Sequence, residues 1–244
     1  MKVRNILIGA VVASALSAGT ASAAASLNWD QGQALSPGGT LVFDGTRVIG
    51  TDIGFDLMAA VGTSADGVYH CSNANGGVPA PVGTSRCLLS FTTGALQQIA
   101  ESSFIFGPGG TVTLTGFLSD ATPGNTGNLV GGSPLVLSGS FDAYVVLLGG
   151  GSGTASGLGI DIKDARLIEW FGLGEDFKFT MSQIALNGCG GAAAAGPAAV
   201  MANGGFTCNV NNADFQNTSV PEPGTLALLG LGLLGVGAAR RRKD

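Results

Sequence analysis

Charged side chains are scarce in this sequence, and basic ones are almost missing from its middle. Aspartate, glutamate, lysine and arginine make up 11% of the 244 residues, against about a quarter in an average domain. Between residues 24 and 219 stand fourteen acidic and five basic residues, a net charge of −9. The basic residues are Arg47, Arg86, Lys163, Arg166 and Lys178. Nucleic-acid binding requires clustered lysine and arginine, so no nucleic-acid partner is expected.

No apolar run is long enough to cross a bilayer comfortably, which requires about twenty residues. The first run covers residues 6–16, follows Lys2 and Arg4, and precedes small residues at 21–23. A basic start, a short apolar stretch and a small-residue exit are the pattern of a secretory signal peptide. We expect signal peptidase to remove residues 1–23, although Ala25 also fits the cleavage pattern, and an uncleaved N-terminal anchor helix is the alternative.

Histidine is nearly absent, and the usual catalytic motifs are missing. His70 is the single histidine, no G-x-S-x-G turn occurs, and no two cysteines are spaced as C-x-x-C. A serine-type triad would have only His70 as its base, and a zinc site would have to combine His70 with the adjacent Cys71, which is poor tetrahedral geometry. Both sites are disfavoured, and His70 is interpreted as a loop residue beside a disulfide.

Acidic residues leave two kinds of site open. Two facing carboxylates could make a glycoside hydrolase, for which the candidates are Glu101, Glu169, Glu175 and Asp176. Oxygen ligands near turns of an acidic exported chain could bind Ca²⁺, for which the candidates are Asp161, Asp164, Glu175 and Asp176. No EF-hand or nonapeptide calcium loop is present. Solvated surface carboxylates are the simpler interpretation, and no other cofactor is expected.

Glycine is abundant, with 42 residues in the chain, and in the middle of the chain glycines separate short apolar segments. Residues 111–115 alternate apolar and polar side chains, and so do residues 177–182, as half-buried strands do. Many short strands between glycine and proline turns predict an all-β fold. The expected architecture is an antiparallel β-sandwich of jelly-roll type.

Some segments carry weaker signals. A Gly-Pro-Gly-Gly turn at 107–110 between apolar runs predicts a hairpin over residues 104–117. Residues 94–101 contain good helix formers, and residues 164–170 suit a helix or a strand equally. Glycine, serine and asparagine predict loops at 119–134, 149–159 and 187–219, the last of which ends in a stalk at 209–219.

Four cysteines in an exported chain indicate disulfides first, because the periplasm is oxidising. Cys71 and Cys87 are 16 residues apart, and Cys189 and Cys208 are 19 apart. Three pairings are open, and we favour the local one, Cys71–Cys87 with Cys189–Cys208. Each bond would close a loop that has too few large apolar residues to build a core of its own.

Three aromatic residues are candidates for stacking on a sugar ring: Trp29, Tyr144 and Trp170. Trp170 lies in an apolar segment, a setting in which a tryptophan more often belongs to the core. Trp29 stands among polar residues near the expected mature N-terminus, so it is the better candidate for an exposed platform.

The C-terminal region carries a three-part pattern of a Pro-Glu-Pro motif, an apolar stretch at 225–239 and a basic cluster. The motif is formed by Val220, Pro221, Glu222 and Pro223. The basic cluster is formed by Arg240, Arg241, Arg242 and Lys243. As a helix the apolar stretch would be about 22 Å long, so it predicts a single short transmembrane helix that relies on snorkelling arginines. The basic cluster should remain cytoplasmic, which leaves the rest of the protein outside.

These C-terminal residues resemble the PEP-CTERM sorting signal of Gram-negative bacteria that produce exopolysaccharide. The three parts stand in the order of that family, and the resemblance covers residues 220–244. It implies recognition by an exosortase, a membrane enzyme that removes the tail and releases or transfers the protein. A plain membrane anchor is the alternative. The resemblance assigns no function to the rest of the chain.

The sequence therefore predicts a signal peptide at 1–23, a β-sandwich body at 24–208, a linker at 209–219 and a sorting signal at 220–244. The protein is expected to leave through the inner membrane as a tail-anchored precursor and to act at the cell surface or in the extracellular matrix. We expect a structural or adhesive role in the exopolysaccharide layer, without enzymatic activity. A carbohydrate-binding β-sandwich module and a secreted glycan hydrolase are the alternatives. The expected partners are signal peptidase, an exosortase, the inner membrane through the C-terminal helix, and exopolysaccharide.

Overall fold

The computed structural model describes seven parts of the chain: residues 24–30, 38–72, 86–119, 129–130, 135–173, 177–190 and 197–219. These parts form fifteen strands and two short helices. Neither helix has the length and apolar character that a membrane span requires. The predicted signal peptide at 1–23 and the predicted sorting signal at 220–244 lie outside the described residues.

The strands and helices have the following bounds. The first ten strands are β1 (Ser26–Asp30), β2 (Thr40–Phe43), β3 (Val48–Phe55), β4 (Leu57–Val61), β5 (Gly67–Ser72), β6 (Cys87–Thr93), β7 (Leu96–Ala100), β8 (Ser103–Phe106), β9 (Gly109–Thr115) and β10 (Phe117–Ser119). The later elements are β11 (Leu129–Val130), β12 (Leu135–Gly149), β13 (Ser152–Lys163), α1 (Ala165–Phe171), β14 (Phe177–Asn187), α2 (Pro197–Ala202) and β15 (Phe206–Ser219).

Hydrogen bonds join the described strands into one antiparallel sheet. Its main run is β15-β14-β13-β12-β9-β6-β3-β2, and β2 pairs again with β15, so this run closes on itself. A side branch leaves β15 and continues through β1, β4, β5, β10 and β11. The prediction of an all-β antiparallel fold is confirmed. The two sheets of the expected sandwich are not separate, because β15 bonds to both parts of the structure.

The core lies inside the closed run and is rich in aromatic rings. Phe141 contacts Phe91, Tyr144 and Phe179 with ring centroids 5.1–5.4 Å apart, and Phe179 stacks on Phe215. All five side chains are buried. Burying one such ring stabilises a fold by roughly 2 kcal/mol, and tilted or stacked ring pairs add to that. Few aromatic residues are therefore enough here, because most of them point inward.

The predicted stalk at 209–219 is wrong, because these residues belong to β15. They pair with β14 from Asn187↔Asn209 to Phe177↔Ser219, and β1 pairs on the other side. Burial alternates along the strand, with Val210, Ala213 and Phe215 inside. Of the asparagine and threonine side chains of β15, only Asn217 is buried and the others face out, so the polar composition concealed a period of about two.

The predicted hairpin over residues 104–117 is also wrong. β8 and β9 do not pair with each other, because both pair with β12. β8 pairs with residues 144–147 of β12, and β9 pairs with residues 135–141. Gly107 and Pro108 thus join two strands that follow each other along one edge of β12. A Gly-Pro turn signal fixes a local break in a strand without fixing the direction of the chain after it.

The other local predictions have mixed outcomes. Residues 94–101 contain strand β7 and not a helix, since they pair with β8. Residues 164–170 form most of helix α1, which begins after Asp164 and ends at Gly172 in the left-handed region, with φ 61°. The loop predicted at 149–159 is only a short turn, and β13 starts at Ser152. The predicted loops at 119–134 and 187–219 lie partly outside the described residues.

Candidate functional site

The two predicted disulfides are confirmed. Cys71 bonds Cys87 with the Cα atoms 5.2 Å apart, and Cys189 bonds Cys208 with the Cα atoms 4.1 Å apart. The first bond ties β5 of the side branch to β6 of the closed run. Since all four thiols are used, none is available as a zinc ligand. His70 lies on β5 and not in a loop.

Of the three aromatic residues predicted to bind sugar, the structure leaves only one at the surface. Trp29 and Tyr144 are buried, at 1% and 0% exposure, so the prediction of exposed platforms there is wrong. Trp29 and Leu27 both face inward along β1, and the polar residues on either side of Trp29 face outward. Trp170 is 41% exposed, and its indole N–H donates to the Tyr69 hydroxyl at 3.5 Å.

The predicted calcium ligands do not form a common site. Asp161 points into the core, where Lys163 Nζ lies 2.9 Å from its Oδ2, and Asp164 caps α1 by accepting a hydrogen bond from the Arg166 N–H. Glu175 and Asp176 lie outside the described residues. Across the described ranges, no three histidine, cysteine, aspartate or glutamate side chains cluster as a metal site would require.

The hydrolase candidates are equally separate among the residues that the structure describes. Glu101 follows β7 and Glu169 lies in α1, and both side chains are exposed. The structure therefore provides no carboxylate pair from these two residues.

A groove lies on the outer face of the sheet, across β9, β12, β13 and β14. Its cavity volume is about 720 Å³, within the range of small-molecule sites. The outward side chains that line it are Thr111, Thr113, Ser138, Ser140, Ile160, Ile162 and Lys178. The groove is thus lined by hydroxyl groups, by branched apolar side chains and by one ammonium group.

Strand register sets the order of these groups. Ser140 lies opposite Ile160, which lies opposite Lys178 on the next strand. Thr113 and Ile162 flank Ser138 in the adjacent row. Each row therefore combines a hydroxyl group, which donates and accepts hydrogen bonds, with an isoleucine. Such a surface can contact both the hydroxyl groups and the apolar C–H faces of a sugar.

The isoleucines are unusual because they face solvent. Ile160 is 52% exposed and Ile162 is 71% exposed, while Asp161 and Lys163 between and after them are buried. Sequence analysis missed this groove, since an alternation of isoleucine with charged residues normally places the isoleucines inside. The sequence signal for this orientation of β13 is the pair of glycines at 157 and 159. Because these glycines have no side chain, aromatic rings from the two neighbouring strands fill the inner face beside them.

Comparison with known proteins identifies only the C-terminal segment. Residues 219–243 match the PEP-CTERM protein-sorting motif, as the Pro-Glu-Pro pattern predicted. No match was found among curated proteins or among solved structures. The matched segment begins at Ser219, the last residue of β15. The chain therefore carries a PEP-CTERM sorting motif, which implies an exported, membrane-anchored precursor that an exosortase processes and that is sorted to the cell surface.

Proposed function

We propose that this protein is a non-enzymatic structural or adhesive component of the exopolysaccharide layer outside the cell. The observation that carries the proposal is the PEP-CTERM motif, which begins where the last strand of the sheet ends. Removal of the tail after the motif would release a body whose strands are already paired. Two disulfides fit an oxidising location outside the cytoplasm.

The composition of the body supports the same role. A closed sheet with two disulfides resists local opening, because most of its strands bond to neighbours on both sides. The scarcity of charge leaves a surface of hydroxyl, amide and small apolar groups that suits contact with polysaccharide. The hydrolase alternative has no specific observation in its favour.

The test of this proposal is a deletion strain of the native host. We expect the strain to form a matrix that disperses under shear more readily than that of the wild type. A copy with Pro221→Ala, Glu222→Ala and Pro223→Ala should remain with the membranes and fail to restore cohesion. A copy with Asn212→Ala, an exposed change in β15, is the control and should restore it. Unchanged cohesion in the deletion strain would contradict the structural role.

We propose carbohydrate binding in the groove as a second candidate, favoured by its rows of hydroxyl groups and exposed isoleucines. Replacing both Ile160 and Ile162 by aspartate should weaken binding to the host's purified exopolysaccharide at least about tenfold, because the apolar contact with the sugar rings is lost and each carboxylate would have to give up hydration on binding. Val68→Asp is the matched control, because Val68 is also exposed, at 62%, on a different strand.

Titration calorimetry with the folded protein measures this difference directly. The control should bind within about twofold of the wild type. Absence of binding by the wild-type protein, or equal binding by the double variant, would contradict the groove as a sugar site. Neither result would affect sorting by the C-terminal motif.

A further inference from the structure

Large apolar side chains face solvent on both sides of the strand that leads into the sorting motif. They are Leu158, Ile160 and Ile162 of β13, Val61 of β4 and Val68 of β5, and each is between 49% and 71% exposed. Exposed apolar residues scattered singly need no explanation, whereas a group of them around one point of the surface marks an interaction site. The strand register places these five around the end of β15.

One row of paired residues crosses the end of β15. Ile160 of β13 lies opposite Lys178 of β14, which lies opposite Thr218 of β15. On the other side of β15, Thr218 lies opposite Ser26 of β1, which lies opposite Val61 of β4. Directly paired residues share a face of the sheet, and neighbouring strands are about 4.8 Å apart. Ile160 and Val61 therefore flank Thr218 on the outer face, each about 10 Å away across the sheet.

The next outward-facing row has a similar composition. It runs from Leu158 of β13 to Val68 of β5, and the residues between them are Thr180, Gln216, Asn28 and Ala59. Ile162 is the outward residue of β13 beyond Ile160. Lys178 is the only charged residue of the two rows, and neither row contains an acidic residue. We call these two rows, together with Ile162, the exit face.

Helix α1 lies at the same end of the sheet. It follows β13 directly, and the turn between β4 and β5 holds its last residues. In that turn Ser64 donates its N–H to the Phe171 carbonyl at 2.9 Å and its hydroxyl to the Trp170 carbonyl at 3.0 Å. The partly exposed ring of Trp170 is thus fixed beside the exit face. Tryptophan, which combines an apolar ring with a polar N–H, is enriched at membrane–water interfaces.

The position of the sorting motif determines what lies next to this face. Ser219 directly follows Thr218 and is the last residue of β15. Six residue steps separate Ser219 from Thr225, where the apolar stretch of the tail begins, so even a fully extended chain would cover only about 20 Å. The anchored precursor that the motif implies therefore keeps the end of β15 within about 20 Å of the hydrocarbon core, and the headgroup layer fills roughly 6 Å of that distance.

We propose that the exit face of the anchored precursor rests on the lipid surface of the membrane, with its aliphatic side chains and Trp170 in the headgroup layer. This proposal rests on the anchored precursor that the sorting motif implies. Binding removes apolar area from water, and Lys178 can reach lipid phosphate groups on its long apolar stem.

The contact lasts as long as the tether does. A weak apolar contact is sufficient while the C-terminal segment keeps the body beside the lipid, because the tether raises the effective concentration of the two surfaces. Removal of the tail by the exosortase ends that advantage, so the body leaves the membrane. Ile160 and Ile162, which also line the groove, then become accessible to polysaccharide.

Photo-cross-linking of the precursor in lipid vesicles tests the proposal. The precursor with its sorting tail is reconstituted in vesicles of phosphatidylethanolamine and phosphatidylglycerol, with benzoylphenylalanine in place of Ile162, Val61 or Leu147. Leu147 is the matched control, because it is also exposed but lies near the other end of β12, opposite Thr154. We expect lipid adducts at Ile162 and Val61 in a yield at least about fivefold above that at Leu147, since only the first two positions reach the headgroup layer.

Other occupants of the face would be recognised in the same experiment. Adducts in equal yield at the three positions, or at none of them, would overturn the proposal. Cross-links from Ile162 to residues 225–239 of the same chain, or to a second copy, would overturn it too. A precursor that does not float with the vesicles would remove the anchor and overturn it as well. Matrix cohesion is measured separately in the deletion strain, so failure of the lipid contact is distinguished from failure of the proposed structural role.

Aspartate variants supply the second measurement. In the precursor with the probe at Ile162, Ile160→Asp should lower the yield of lipid adduct at least about threefold, because a carboxylate loses hydration when it enters the headgroup layer. Ile99→Asp is the control, because Ile99 is exposed on β7, a strand outside the exit face, and it should leave the yield unchanged. An equal yield in the two variants would overturn the apolar contact.

Discussion

Asp44 shows how much one carboxylate can do in a chain with few charges. It stands in the turn between β2 and β3 and accepts hydrogen bonds from the Thr46 N–H at 2.8 Å, the Thr46 hydroxyl at 2.7 Å and the Arg47 N–H at 2.9 Å. These bonds, that of the Arg47 N–H foremost, hold the pKa of Asp44 below its usual value. The carboxylate thus fixes a turn that brings β2 and β3 into register.

We predict that Asp44→Ala lowers the free energy of unfolding by about 1 kcal/mol at pH 7, because three hydrogen bonds to an ionised group are lost. Because folding lowers the pKa of Asp44, its carboxylate stabilises the fold fully above the unfolded pKa of about 3.8. This stabilisation is lost as the pH falls through the lower pKa of the folded state. Denaturant unfolding at pH 7 and at about pH 2 measures the difference. Asp142→Ala, also exposed, is the control, and an equal loss in both variants at pH 7 would contradict the turn's role.

The disulfide partners of the cysteines could be predicted from the sequence, whereas the side of the sheet that a given side chain faces often could not. The cysteine pairs followed from spacing and compartment alone. Trp29 could not be placed, because its polar neighbours concealed an inward alternation. The buried ion pair of Asp161 and Lys163 could not be predicted, because charged side chains on an alternating strand normally face solvent.

Among the elements, β13 depends most on its neighbours. Its sequence alternates isoleucine with Asp161 and Lys163, and local hydrophobicity would turn the isoleucines inward. The structure turns them outward, because rings from both adjacent strands occupy the inner face beside Gly157 and Gly159. A shift of one residue would reverse every side chain of a strand, so these glycines determine which face carries the groove.

We predict that Gly159→Ala destabilises the protein by about 2 kcal/mol, as overpacking in a close-packed core does. A Cβ atom there would meet the Ser140 carbonyl oxygen and the ring of Phe179. Gly149→Ala is the matched control, because nothing lies within 4 Å of its Cβ position, and it should change stability by less than about 0.5 kcal/mol. Thermal or denaturant unfolding compares them, and equal stability of the two variants would show that the inner face has room to spare.

The Cys189–Cys208 bond connects the end of β14 to the start of β15. We predict that replacing both cysteines by serine lowers the free energy of unfolding by about 3 kcal/mol, since the bond restricts the unfolded loop. Denaturant unfolding without reductant measures the change, and the Cys71→Ser, Cys87→Ser variant should lose a similar amount because the two loops have similar lengths. A loss below about 1 kcal/mol would mean that strand pairing alone holds this loop.

The fold class could be predicted from short alternating segments and turn residues, whereas strand order could not. β8 and β9 are neighbours in sequence but share β12 as their partner. β2 and β15 are far apart in sequence and pair to close the main run. Local patterns indicate which segments are strands, and they carry little information about which distant strand completes the hydrogen bonds.

For the whole molecule, three features meet at β15. The sheet closes through β15, two disulfides reinforce it, and the sorting motif begins at the last residue of that same strand. The predicted stalk between body and motif is absent, because its residues are paired with β1 and β14. Cleavage after the motif would therefore occur close to a strand that is fixed on both sides.

The mass of the protein recovered from the extracellular matrix of its host tests the central claim most directly. We predict a protein that keeps β15 through Ser219 and lacks residues 224–244, while the membrane fraction contains the precursor with the tail. Any mass beyond that of the shortened chain would identify a group attached during transfer. Matrix protein that retains residues 224–244 would contradict sorting by an exosortase and would make the C-terminal segment a plain anchor.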